Sequence, residues 1–262
     1  MEKPLRNILI GFGAVSVIIL VSVYFTTGTL EGFWVNTATE IIGIILTVAF
    51  IDYYYRQREE KELKVKLIRE MGSRDNADAL KAVSELRAKG WLQDGSLNNL
   101  YIQYADLKNA DLSLASLTNC NFDSVNFEGA NLFYTNFSSS EIRNSDFKRA
   151  MIIGTIFRET KLLHTDFTGV SYGRGNSLSE EATHSLFCNA LALRRSIMPN
   201  GMKYDGRYRL HEELSNSSDS DHITHAQGWA NYYGITVEQY LEGQKWADEN
   251  LHKYRKDEED AK

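Results

Sequence analysis

The chain has 262 residues, a formal net charge of -6 and 24% charged residues. That length allows one or two domains with a buried core, and the moderate charge argues neither for a nucleic-acid binder nor for an acidic tail protein. Two cysteines, Cys120 and Cys188, are too few for a disulfide framework and favour a reduced compartment.

The first predicted element is apolar. Asn7 to Phe25 runs for nineteen residues without a charge, enough at about 1.5 Å per residue to cross a hydrocarbon core of about 30 Å. A cleaved signal peptide fits less well, because the run exceeds a signal core and no convincing cleavage site precedes the next apolar stretch. That next stretch, Phe33 to Tyr55, is expected to be a second span, interrupted by Glu40 and Asp52. Asp52 adjoins the aromatic belt Tyr53, Tyr54 and Tyr55. Glu40 lies deeper, so it either sits among headgroups or faces a partner or a watery path as an intramembrane polar site. Gly11 and Gly13 fall inside the first span and make no phosphate loop. Lys3 and Arg6 precede the hairpin, and Arg56, Arg58, Lys61, Lys64, Lys66 and Arg69 come after it. The connecting loop has no Lys or Arg. Basic flanks of this kind place both termini in the cytoplasm of a multi-pass inner-membrane protein.

From Arg56 to Met71 the charges alternate and Leu63, Leu67 and Met71 recur four apart, as in a stalk helix with a narrow apolar stripe. Gly72 ends it. Ser73 or Asp75 can cap a further helix through Lys89, stopped by Gly90. Its stripe of Ala79, Leu80, Val83 and Leu86 is expected to cover the open end of the next segment, where Trp91, Leu92, Leu97 and Ile102 already anticipate a new period.

That period is five. Large apolar residues occupy Leu107, Leu112, Leu117, Phe122, Phe127, Leu132, Phe137, Ile142, Phe147, Ile152, Phe157, Leu162 and Phe167, each with a small or β-branched residue two positions earlier, from Ala105 to Thr165. Five matches neither a helix nor a strand; it fits a coil that turns a corner every five residues, large side chain inward. The stretch ADLKNADLSLASLTNCNFDSVNFEGANLFYTNF resembles the pentapeptide-repeat family. The resemblance implies a right-handed, four-sided β-helix with twenty residues per coil, so that Leu107, Phe127, Phe147 and Phe167 form one inner column and Leu117, Phe137 and Phe157 another. At ~4.8 Å per strand a little over three coils make a rod of roughly 15 Å. The segment from Gly72 to Leu112 also resembles the join in membrane-anchored bacterial members of that family, and no enzymatic residue comes with it.

Beyond the repeats, Ser177 with Glu180 suggests a capping box for a helix over Leu178 to Phe187. Leu193 and Met198, with Ser196 between them, return to the five-residue phase as one broken coil. Asn200-Gly201 and Asp205-Gly206 are turn signals, the second expected to close a hairpin between Lys203-Tyr204 and Arg207-Tyr208. Two further helices are expected, His222 to Tyr233 and Val237 to about Tyr254, with Trp229, Tyr232, Tyr233, Tyr240 and Trp246 as their core. The tail from Arg255 is expected to be disordered.

The expected architecture is thus mixed. A transmembrane helical hairpin (1–55) leads to a stalk and capping helix (56–90) and a pentapeptide-repeat β-helix (91–170). Next come an irregular segment (171–210), a helical unit (211–254) and a tail (255–262). No catalytic constellation is apparent. His222 and His225 are weak metal candidates, three apart with no third ligand at a recognisable spacing. His184 and Cys188 lack an orienting third residue and an oxyanion motif. No cofactor or small-molecule substrate is implied. Some members of the resembled family mimic DNA and protect gyrase. Here eight acids and six bases between Tyr101 and Val170 do not imitate a duplex with one negative charge per ~1.7 Å. The leading expectation is a non-catalytic scaffold, anchored in the lipid bilayer and binding a cytoplasmic protein. The alternative is a homo-oligomeric membrane effector that forms a pore or perturbs the bilayer.

Overall fold

The computed structural model describes residues 30–171, 179–210 and 222–259, and the chain divides between Leu63 and Lys64 into two compact units. Helix α1, Leu30–Met71, begins in the first of these. Its middle is apolar all round: Ile41, Ile42, Ile45, Leu46 and Phe50 are each about half or more exposed. Asn7 to Phe25 lies outside the described residues. The expected second span, Phe33 to Tyr55, is helical, but no helix among the described residues is long and apolar enough to cross a membrane. The physical reason is its punctuation. Glu40 and Asp52 leave eleven uncharged residues between them, about 16 Å of helix, and Asp52 is held in an ion pair with Arg56 at 2.9 Å.

In the second unit the last turns of α1 bury Leu67 and Met71, leaving Val65 exposed. Helix α2, Asn76–Ala88, starts at Asp75, whose carboxylate accepts from the amides of Ala77 and Asp78. Aspartate at this position satisfies two of the amides that a helix start leaves orphaned. Ala79, Ala82, Val83 and Leu86 face inward, and Gly90 at φ +74° turns the chain out of the helix.

The repeat segment is a four-sided coil advancing twenty residues per turn. Strands β1 (Tyr101–Gln103), β2 (Asn121–Asp123), β3 (Glu141–Arg143) and β4 (Lys161–Leu163) form one parallel sheet in the order of the sequence. Asp106, Asn126, Asp146 and Asp166 pair along the second side, Asp111, Asn131, Met151 and Ser171 along the third, and Ser116, Asn136 and Ile156 along the fourth. The thirteen large residues from Leu107 to Phe167 are all inside, at most 1% exposed. Phe127, Phe147 and Phe167 stack at 4.7 and 4.9 Å, and Phe137 and Phe157 at 5.5 Å. Burial of each such ring contributes ~1.5–3 kcal/mol.

The inner small positions have their own chemistry. Hydroxyls of Thr135, Ser140, Thr155 and Thr160 donate to the carbonyls of Leu112, Leu117, Leu132 and Phe137, at 2.8 Å in every case. Alanine fits the same space without a donor. A threonine here is satisfied by a carbonyl one coil below, which removes the penalty for burying it.

The coil is then interrupted. Helix α3, Glu180–Phe187, is capped by Ser179, which accepts from Ala182; the expected cap, Ser177, lies outside the described residues. Past it the register resumes, with Lys161 paired to Ala192 and Asp166 to Ile197, an offset of 31 residues in place of 20. Phe187, at the end of α3, stacks on Phe157 at 5.9 Å, so the excursion supplies the ring that the column needs. Leu193 and Met198 are buried, and the buried hydroxyl of Ser196 donates to the carbonyl of Leu162.

The turn at Asn200-Gly201 closes the hairpin: Ile197 pairs antiparallel with Lys203, the Gly201 amide donates to the Met198 carbonyl at 2.8 Å, and Gly201 takes φ +80°. The expected hairpin at Asp205-Gly206 is not formed. Asp205 instead accepts from its own neighbour Arg207, and the Gly206 carbonyl accepts from Gln244. Lys203 already pairs backward to Ile197, so no strand is left to pair forward.

Helices α4, His222–Tyr233, and α5, Val237–Glu259, complete the described chain. Thr236 and Gln239 cap α5 reciprocally, each backbone amide donating to the other's side chain. The helix takes in residues 255–259 of the tail expected to be disordered. Tyr204, Tyr208, Trp229, Tyr233 and Tyr240 are buried, with Tyr204 and Tyr233 edge-on at 5.0 Å.

Candidate interaction surface of the repeat rod

Every fifth residue of the repeat turns a corner in the left-handed region. Asn109, Asn119 and Asn144 suit it, whereas Leu114, Tyr134, Arg149, Glu159 and His164 adopt φ between 50° and 62° without that local excuse. The corners fix the direction of the outward side chains, so surface chemistry is set by ladders of residues twenty apart.

Two ladders are polar. Asn126 donates to Asp106 and Asn131 to Asp111, both at 2.9 Å. Lys108 reaches Glu128 at 2.8 Å, and Lys148 bridges Asp146 and Asp166. The Lys108 hydrogen bond, helped by the charges of Lys108, Arg149 and Lys148, holds the Glu128 carboxyl below its ordinary range. A third area is apolar: Leu114, Phe133, Tyr134, Met151 and Ile156 are exposed on adjoining rungs. Tyr134 lies flat over Gly154, where a Cβ would come within 2.8 Å of the ring.

Both ends of the rod are closed. At the start, Asn76 donates to the carbonyls of Asp106 and Lys108, while Arg87 donates to those of Asp111 and Ser113. Ser73 and Leu92 accept the edge amides of Asp106 and Ser116. At the far end, Ile197 pairs antiparallel with Lys203 and the Ser196 carbonyl accepts the Tyr204 amide, while the Lys203 side chain donates to the Gly234 carbonyl and Arg194 lies over Tyr232 at 5.0 Å. Neither edge presents a free row of backbone groups at these positions, which is how a solenoid avoids pairing with a second copy.

The remaining candidate residues lie away from these ladders. Glu40 sits half-buried in α1 at the N-terminal side of the apolar run. The His222 side chain lies outside the described residues; His225 accepts the Trp229 indole N–H at 2.9 Å. Among the described residues no group of three or more His, Cys, Asp or Glu could hold a metal ion. His184 packs edge-on against Tyr208, and the Cys188 thiol points to the Ser185 carbonyl. Cys120, a free inner thiol, donates to the Leu97 carbonyl at 3.1 Å, and burial pushes it up to about 11, so it is not a nucleophile near neutrality. Residue order carries no advance sign of the hydroxyl-to-carbonyl ladder or of the helix-to-edge bonds of Asn76 and Arg87; the polar residues facing an otherwise apolar α2 stripe are the signal that could have found the latter.

Residues 96–132 and 130–169 match the family model described as pentapeptide repeats, in eight copies. No curated protein matches the chain. Among solved structures, QnrB1, a plasmid-mediated fluoroquinolone resistance protein, is 27% identical over 29% of this chain and 39% of its own, with a TM-score of 0.28. A pentapeptide repeat protein from the Arabidopsis thaliana thylakoid lumen is 15% identical over 35% of this chain and 73% of its own, with a TM-score of 0.26. HetL, a pentapeptide repeat protein involved in heterocyst differentiation regulation in the cyanobacterium Nostoc sp. strain PCC 7120, is 24% identical over 38% and 41%, with a TM-score of 0.20. The chain thus spans about two fifths of the length of QnrB1 and HetL. Taken with the five-residue register and the twenty-residue pairing, the family match identifies residues 96–169 as a pentapeptide-repeat β-helix.

Proposed function

We propose that this protein is a non-catalytic scaffold, held at the bacterial inner membrane, which presents its β-helix to a protein partner in the cytoplasm. The observation that carries the interaction half is the rigid rod with an exposed apolar area, Leu114, Phe133, Tyr134, Met151 and Ile156, on a frame whose own edges are occupied. Contiguous exposed apolar surface on a soluble domain marks a contact site. The membrane half is supported by the uncharged stretch Asn7 to Phe25, the exposed apolar girth of α1 at Ile41 to Phe50, and the basic residues that come after it. Burial of Leu67 and Met71 takes up the stripe that would have joined stalks, so the oligomeric effector has less support than the scaffold.

Three measurements test the proposal. Alkaline extraction of membranes should leave the full chain in the pellet, and release into the supernatant would reject the anchor. Cross-linking in membranes, followed by mass spectrometry, should join the rod to a second protein. Turnover by the purified chain that a point mutation abolishes would reject the scaffold.

A further inference from the structure

The repeat rod neutralises most of its bases. Of its six bases, Lys108, Arg143, Lys148 and Arg149 are each in an ion pair with a carboxylate. The two that make no ion pair among the described residues, Arg158 and Lys161, both lie beside the last coil. There the register places two more cations. Lys161 pairs with Ala192 and the His164 amide donates to the Arg194 carbonyl, so at this offset His164 stands opposite Arg195 and Leu163 opposite Arg194. All five basic residues, Arg158, Lys161, His164, Arg194 and Arg195, are exposed.

Of the carboxylates nearby, Glu141 pairs with Arg143, and Glu159, which accepts from Ser139 Oγ, makes no ion pair with the cluster among the described residues. Arg194 rests on the ring of Tyr232. Burial first, and then the charges of Arg195 and Arg194, lower the affinity of His164 for a proton. Like charges on neighbouring strands destabilise a sheet. Here they stand together on a rod that neutralises its other bases.

We propose that the cluster of Arg158, Lys161, His164, Arg194 and Arg195 is the docking surface for an extended acidic polypeptide segment. The proposal rests on the scaffold reading and names its partner's chemistry. Charge complementarity favours an acidic polypeptide: rungs lie ~4.8 Å apart and alternate side chains of an extended strand ~6.8 Å apart, a difference that the long Arg and Lys side chains can span to meet its carboxylates. A nucleic-acid duplex is disfavoured, because the cluster covers only two coils of a rod whose repeat stretch carries eight acids to six bases. A lipid surface is disfavoured because the residue between the cations, Leu163, is half-buried and offers no apolar wedge.

The test uses the full chain in neutral detergent and a fluorescein-labelled decamer of alternating Glu and Ser, followed by anisotropy at low and high salt. Binding is expected at low salt, weakened at high salt, and reduced roughly tenfold in the double variant Arg158→Glu/Lys161→Glu. Arg158→Gln/Lys161→Gln should fall between, and Lys81→Gln, an exposed cation on α2, should leave binding unchanged. Circular dichroism melting of each variant separates lost binding from lost fold. Absence of peptide binding, equal binding by a folded double variant, an equal loss in Lys81→Gln, or preference for phosphatidylglycerol vesicles or duplex DNA overturns the proposal. A partner captured in membranes equally well by the double variant would overturn it too, while leaving the scaffold standing.

Discussion

At each corner of the coil a single backbone conformation is required, and the residue that occupies it decides how much strain is held there. Leu114 takes φ 62° while 49% exposed, so it contributes strain without compensating burial. Leu114→Asn should raise stability by about 0.5–1 kcal/mol in a chemical denaturation series. Thr155 is the opposite case, a buried residue whose hydroxyl answers the Leu132 carbonyl. Thr155→Val should cost about 0.5–1.5 kcal/mol, because that carbonyl loses one of two donors and keeps only the Thr135 amide. The apolar side of this logic was readable in the order of residues, since Leu, Ile and Phe hold every inner position of the register. The hydroxyls were not, since a serine or threonine gives no hint of which carbonyl it will meet. His164 adds a pH dependence. Its folded pKa lies below the unfolded value of about 6.5, so the unfolded chain binds more protons between the two. Stability from this group is full above about pH 6.5 and falls as pH drops through that window. His164→Gln should flatten the slope of melting temperature against pH there, whereas the depressed carboxyl of Glu128 acts only below about pH 4.5.

Helices close the rod by different means at its two ends, and the caps differ in how openly the residues announce them. Thr236 and Gln239 form a reciprocal box that residue spacing alone suggests. Ser73 and Asp75 are equally good candidates by residue type, and Asp75 prevails because its carboxylate reaches two amides while Ser73 Oγ accepts from Asp75 itself. Asn200-Gly201 and Asp205-Gly206 are also alike as turn signals; the first becomes the hairpin because Ile197 already lies on the last coil as a template. α5 extends past its expected end because Arg, Lys and Glu, which fill much of its last turns, are good helix formers. Docking of α5 depends on Gly243, where a Cβ would collide with the Asp205 carbonyl oxygen. Gly243→Ala should therefore destabilise the helical unit by roughly 2 kcal/mol or more, despite a gain in helix propensity of about 1 kcal/mol. A lowered first transition in calorimetry, with the rod's own transition unmoved, is the expected signature.

The molecule as a whole combines an apolar helix, a rod and a helical unit, and these were legible to different degrees. A fixed period survives any uncertainty about local propensity, because one slip would expose every inner residue from Leu107 to Phe167. The excursion at α3 was legible in part: the residues announce a helix ending at Phe187 and a return of the phase at Leu193 and Met198, but not that the register resumes 31 residues on or that Phe187 falls on the Phe157 column. The apolar character of Ile41 to Phe50 was plain, but Glu40 and Asp52 keep the described helix from being a span in its own right.

The twenty-residue register also sets how the rod would yield to force. Each coil is bonded only to the coils above and below it, through parallel ladders that run along the axis. Tension applied to the two ends of the repeat loads those ladders one after another, so rupture should travel coil by coil from a loosened end. Every event would free twenty residues, about 70 Å of contour length, and an optical trap should record a staircase of near-equal steps. The coil that carries the α3 excursion stores 31 residues, and its step should be longer than the rest by about half.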